Sequence, residues 1–250
     1  MDDVIIISYA SDEPYKSEAK NIKELADYAG IKFRLYNRNW LKKTKFHKDN
    51  LDLLSDKKSG FCAWKPYIIL HSLKSYKKVL YLDSSMLFPP HKIKEYIDLE
   101  NEPITSTITE LKNKFYTRKK TFQIMQCNHR HYRESYQPWA GNLLVNQSAK
   151  DIVVEWLYYC SIRDCICDDV DLNNDAGFKY HLYDQSILGI LFKKYDLKFV
   201  SNFLPFMDTR ELMHKDCIEK MFGKDVILNQ LKLSNLYSET YQHNSSVYYQ

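Results

Sequence analysis

Lys78 to Phe88 reads KVLYLDSSMLF, and this stretch decides the fold. Val79, Leu80, Tyr81 and Leu82 form a short continuous apolar run, the pattern of a strand buried on both faces of a parallel sheet. The run ends in a carboxylate, Asp83, followed by the turn formers Ser84 and Ser85. Open α/β sheets bind ligands outside the carboxyl ends of their strands, so Asp83 stands where a ligand would be met. A turn acid that bonds the next backbone amides would satisfy the same spacing.

Working outward, Val4 to Ser8 is a second buried apolar run and the natural first strand. After Pro14, Ala19, Ile22, Leu25, Ala26 and Ala29 recur at helical spacing, and Gly30 stands where a helix end favours a left-handed residue. IKFRLY alternates as a strand, so the first 36 residues predict a βαβ unit. From Asn37 to Ser59 the chain is polar and reads as a surface excursion with a short helix at DNLDLL. WKPYIILHSLKSY predicts a helix with Pro66 at its first helical position, where the missing N–H costs nothing. KIKEYIDL, AKDIVVEWLYYC and YDQSILGILFKKY predict further helices, the last starting near Asp184. PITSTI, GNLLVN and LKFV predict strands, and the stretch from Leu111 to Gln137 fits no template. Strands alternating with helices over 250 residues predict one α/β domain with a mostly parallel central sheet, ending in a polar tail from about residue 230.

Composition narrows the function classes. With 36 basic and 32 acidic residues the chain has no dedicated nucleic-acid surface, yet its slight positive excess suits an anionic small substrate. The six cysteines contain no C-x2-C pair, which leaves reduced thiols in place of a zinc site. The N-terminus MDDVIIISYASDEP carries acids where a secretory signal has bases, and no stretch approaches the roughly 20 apolar residues of a membrane span. These features predict a soluble, cytoplasmic enzyme.

Three residues besides Asp83 could carry chemistry. Lys65 precedes a helix and could reach a phosphate, or could be a solvated lysine. Asp184 could orient a hydroxyl, or could cap its helix; a helix N-terminus also favours anions. His181, just upstream, could be a ligand or a satisfied loop residue. His129 and His131 in CNHRHYRES would share one face of a strand, but Arg130 and Arg133 beside them would repel a cation. CICDDVD lacks the Gly and terminal Glu of a calcium loop and reads as a solvated loop.

Four segments in order, GFCAWKPYIIL (60–70), VLYLDSS (79–85), AGNLLVN (140–146) and HLYDQSILGILFKKY (181–195), resemble glycosyltransferases of the GT-A type. The related groups are the capsular polysaccharide and mannosyl or galactosyl transferases with a WKP segment, akin to families 8 and 32. The resemblance implies a single Rossmann-like GT-A domain that takes a UDP- or GDP-sugar donor and a glycan or glycosylated acceptor. Asp83 and Ser85 would stand in the place of a D-x-D metal motif, with Ser84 between them and His214 or His243, taken as His214, completing a Mn2+ or Mg2+ site. Tyr9, Ala10 and Ser11 would hold the nucleobase. Lys65 would approach the diphosphate, Gly141 and Asn142 would line the sugar together with His181, and Asp184 and Gln185 would face the transferring sugar. The second acid of the motif is replaced by Ser85, a poorer ligand for a hard cation. A catalytically inactive, glycan- or nucleotide-binding relative is the alternative. A sugar nucleotidyltransferase would need a Gly-rich cradle after the first strand, and ISYASDEPYKS has no glycine.

Overall fold

The computed structural model describes residues 3–56, 60–88, 90–98, 102–169 and 173–200, with the backbone of 207–208. Strand β1 (Val4–Tyr9), helix α1 (Tyr15–Ala29) and strand β2 (Lys32–Tyr36) form the expected βαβ unit. The polar excursion folds into α2 (Arg38–Leu41), α3 (Lys45–Asp49) and α4 (Leu51–Leu54). Asn37 and Thr44 begin the first two of these, their side chains accepting from the N–H groups of Trp40 and His47. Then come α5 (Trp64–Leu73), β3 (Lys78–Leu82), β4 (Met86–Leu87), α6 (Ile93–Asp98), β5 (Ile104–Thr105) and β6 (Ile108–Lys112). The stretch that fits no sequence template forms α7 (Asn113–Tyr116), α8 (Lys119–Ile124) and α9 (Arg130–Arg133). The chain continues through β7 (Tyr136–Pro138), β8 (Asn142–Asn146), α10 (Lys150–Cys160), α11 (Arg163–Ile166), α12 (Asp184–Lys194) and β9 (Met207–Asp208).

The central sheet has the order β2-β1-β3-β8-β5. β1 lies parallel to both β2 and β3, while β8 runs antiparallel to β3 and β5. Four strands thus point one way and β8 is reversed. The reversal determines the site, because the residues that precede β8 land beside the carboxyl end of β3.

Alternation along the strands divides the core between the two faces. Ile5, Ile7, Val79, Tyr81, Leu143 and Val145 face α5, α10 and α12, where Trp156 is fully buried. Val4, Ile6, Leu80, Leu82 and Leu144 face α1 and α6. With both faces covered, the continuous apolar runs of β1 and β3 follow.

Several sequence expectations are corrected. PITSTI contributes only Ile104 and Thr105 to the central sheet, and LKFV only an isolated bridge between Phe199 and Ser106. His129 and His131 lie at the start of the short helix α9 and not on a strand. In CICDDVD, Cys165, Ile166 and Cys167 are buried, because α11 packs this segment under α8. Cys62, Cys127, Cys160, Cys165 and Cys167 are free thiols. Among the described residues no helix is long and apolar enough to cross a membrane. The polar tail lies outside the described residues.

Gly30 ends α1 with φ 67°, its N–H bonded to the Asp27 carbonyl and that of Ile31 to Ala26. A methyl group there would have nothing within 4 Å, so only backbone strain opposes it. Gly30→Ala is therefore expected to cost about 1 kcal/mol, read as a lower urea midpoint with an unchanged slope.

Candidate functional site

Three distant segments meet at the carboxyl ends of β1 and β3. Lys65, in the first turn of α5, is buried, and its Nζ lies 3.0 Å from Asp184 Oδ2 and 3.5 Å from Asp83 Oδ1. The same ammonium donates to the Ala140 carbonyl at 3.2 Å and faces the Tyr81 ring. Burial by itself would push the Lys65 pKa down, but Asp184 and then Asp83 outweigh it and hold the ammonium above its ordinary value. Lys65 is the clasp of the two carboxylates, and its charge is engaged by them.

Asp83 leaves β3 at its end, with its N–H bonded to the Gly141 carbonyl at 2.8 Å. The Tyr81 hydroxyl donates to Asp83 Oδ1, the oxygen nearest Lys65. Oδ2 therefore keeps the free face, and the side chain is 34% exposed, against 5% for that of Asp184. Gly141 makes room for this oxygen: a Cβ there would stand 3.1 Å from both Asp83 Oδ2 and Trp139 Nε1. Burial, followed by the charge of Asp83, raises the Tyr81 pKa well above its ordinary value, so the phenol stays a donor.

Asp184 opens α12 as its first residue, with Tyr183 in the capping position, so it does not act as a side-chain cap. Its carbonyl accepts from Trp156 Nε1 at 3.0 Å. Gln185 is fixed at both ends of its amide, with Oε1 accepting from the Ala140 N–H and Nε2 donating to Gln137 Oε1, each at 3.1 Å. Gln137 is itself keyed by donating to Thr117 Oγ1 and the Tyr116 carbonyl.

The backbone is strained on both approaches to the cluster. Gly60, Phe61 and Cys62 have φ of 79°, 54° and 66° immediately before α5, and Tyr183 has φ 54° and ψ −123° immediately before Asp184. Non-glycine residues in such conformations cost about 1–3 kcal/mol each and concentrate where a side chain must be aimed.

The other expected site residues fall into two groups. Tyr9 stacks on Trp64 at 3.8 Å, which joins the end of β1 to the Lys65 turn. Ala10 is buried, and Ser11 Oγ accepts from the Arg38 N–H, both beside that strand end. Asn142 is buried and bound at both ends of its amide to Thr107, which makes it a brace between β8 and the chain after β5. His181 is buried with Nδ1 accepting from the Arg118 N–H, away from the Lys65 network. Ser84 and Ser85 are both buried. His214 and His243 lie outside the described residues.

A divalent cation would find one free carboxylate oxygen here, Asp83 Oδ2. The Ser85 hydroxyl is enclosed, and Asp184 is tied to Lys65. Among the described residues no group of three His, Cys, Asp or Glu side chains is placed to hold a metal ion. These residues do not by themselves fit a resident Mn2+ or Mg2+, whose hard-oxygen set needs more ligands.

Sequence reasoning missed Tyr81, Gln137, Ala140 and Trp156. Tyr81 was within reach of it, since a residue two before Asp83 shares its side of the strand. Gln137 carries no local signal, although Gly189 reflects it: a Cβ there would meet Asn113 Oδ1 at 2.6 Å and Gln137 Cγ at 3.0 Å.

Burial, and next Arg118, push the His181 pKa down from its ordinary 6.5 to about 3. Above pH 6.5 the ring is neutral in both folded and unfolded chains and adds nothing. As pH falls from 6.5 towards 3, the unfolded chain binds the proton first and stability is lost. His181→Asn is expected to flatten this part of the profile, measured as urea midpoints against pH.

The arrangement defines an α/β protein with a carboxylate, ammonium, carboxylate cluster at the carboxyl ends of its parallel strands. No known family pattern and no curated protein sequence matches the chain. Among solved structures it is similar to a glycosyltransferase involved in glycosylation of the major capsid of PBCV-1, at 16% identity, with 62% of this chain and 65% of that chain covered and a TM-score of 0.39. It is similar to the galactosyltransferase LgtC in complex with donor and acceptor sugar analogs, at 15% identity, 75% and 70% coverage and a TM-score of 0.43. Mouse xyloside xylosyltransferase 1 is similar at 11% identity, 88% and 93% coverage and a TM-score of 0.47. The chain spans 65% of the length of the first of these.

Proposed function

We propose that this chain is a GT-A type glycosyltransferase that moves a hexose or N-acetylhexosamine from a UDP- or GDP-sugar to a glycan or glycosylated acceptor. The observation that carries the proposal is the Lys65 ammonium joining Asp83 and Asp184 beside Ala140 and Gly141. A sugar is recognised through its hydroxyls, and this cluster offers fixed acceptors at the place where an α/β sheet takes a ligand. Asp83 Oδ2 accepts from a hydroxyl of the donor, Gln185 faces the sugar with its amide locked, and Gly141 keeps the approach open. Tyr9 and Ser11 flank the base. Lys65 holds the two carboxylates in register and leaves the diphosphate to other groups, which include any Mn2+ or Mg2+ brought with the donor.

We read the outcome as retention at the anomeric carbon: Asp184 is buried against Lys65, and Asp83 Oδ2 is taken up by the donor hydroxyl, which leaves neither carboxylate of the cluster to receive the acceptor proton. The test is a panel of nucleotide diphosphates and nucleotide sugars, with and without manganese, followed by thermal shift and calorimetry. Binding of one UDP- or GDP-sugar supports the reading. No shift and no heat with any member overturns it.

A further inference from the structure

Away from the Asp83 cluster, a cavity of about 480 Å³ opens beside α8, lined among the described residues by Arg118, Lys119, Lys120, Gln123, Asp164 and Asn173. Its walls are tied together: Thr121 Oγ1 donates to the Cys165 carbonyl at 2.7 Å, and the Lys119 N–H donates to Asn174 Oδ1 at 2.9 Å. Arg118 is only 7% exposed. Its Nη1 donates to the Cys167 carbonyl and sulfur, while Nε is buried without a partner. Among the described residues no carboxylate lies within ion-pair distance of Arg118, Lys119 or Lys120. A buried guanidinium is costly when no anion accompanies it, and among the described lining residues three cations face one acid, Asp164.

We infer that this cavity is a binding site for a phosphate monoester dianion. The described lining residues carry two positive charges in excess, which a phosphate balances and a carboxylate does not. Phosphate oxygens also accept from several donors at once, here the Arg118 guanidinium, the two ammonium groups and the amide of Gln123. None of the described lining residues belongs to the Asp83 cluster; Thr117, next to Arg118, accepts from Gln137, which in turn holds Gln185. A phosphate held here comes either as inorganic phosphate or on a sugar.

The test titrates the whole chain, without any nucleotide, with inorganic phosphate, a hexose 6-phosphate and glucuronate, following the Arg118 Nε–H resonance and calorimetric heat. Phosphate compounds are expected to bind and to shift that resonance. Lys119→Gln/Lys120→Gln is expected to weaken them by about tenfold or more, with an unchanged unfolding midpoint, since Lys120 is exposed and Lys119 half-buried. Tighter binding of the sugar phosphate identifies a phosphorylated sugar as the source, and equal or tighter binding of inorganic phosphate identifies the free ion. The inference is overturned if neither phosphate binds, if glucuronate binds as tightly, or if the lysine substitutions leave the affinity unchanged. None of these results bears on the reading of Asp83, because no donor is present.

Discussion

Lys65→Met is expected to destabilise the protein by about 3–5 kcal/mol, the cost of leaving a buried carboxylate without its counter-charge. Asp184 bears most of this, since its side chain is 5% exposed and Lys65 Nζ lies 3.0 Å away. Asp83 is a third exposed and turns to water more readily. Methionine keeps the length and apolar stem of lysine, so packing changes little. Adding Asp184→Leu to the same chain removes the stranded charge and is expected to recover part of the loss. A double-variant cycle in urea reads this coupling directly. If Lys65→Met alone costs less than about 1 kcal/mol, the clasp is a surface contact and the site has been misread.

The second large effect falls on turnover. Asp83→Asn keeps an oxygen to accept from Tyr81, puts an amide nitrogen at Oδ2, the free face of the side chain, and removes one of the two negative charges on Lys65 while Asp184 keeps the other. The expected result is a fall of about 100-fold or more in nucleotide-sugar turnover, the usual scale for losing one fixed group at a reacting centre. The unfolding temperature should move by no more than a few degrees. Equal losses of stability and activity would instead make Asp83 a structural turn acid.

Much of this site was legible because the elements that carry it have strong local signals. The apolar run of β3 stops at an acid, α5 begins with a Trp-Lys-Pro turn, and Gly30 marks the end of α1. What the sequence hides is direction. GNLLVN has the apolar pattern of a strand whichever way it runs, and only its pairing with β3 shows the reversal that brings Ala140 and Gly141 to Asp83. Asp184 reads equally well as a cap, because an acid at a helix start satisfies both roles. Its burial against Lys65 depends on residues more than 100 positions apart. Of the short helices between Asn37 and Leu54, the two that escape a periodicity search begin at side-chain caps, Asn37 and Thr44, and bury one apolar residue each, while DNLDLL shows its apolar pair Leu53 and Leu54. The resemblance implies a sugar contact for Asn142, and in the fold its amide is bonded at both ends to Thr107.

The central claim is that the Asp83, Lys65 and Asp184 cluster turns over a nucleotide sugar, and slow hydrolysis of the donor in the absence of acceptor tests it most directly. The purified chain is incubated with UDP- and GDP-sugars, with manganese present and absent, and the released sugar is followed by NMR, which also reports its anomeric configuration. The account predicts release from at least one donor by the wild type, first as the retained anomer, and its loss in Asp83→Asn. Binding of a donor without release, or release that Asp83→Asn leaves unchanged, would contradict it.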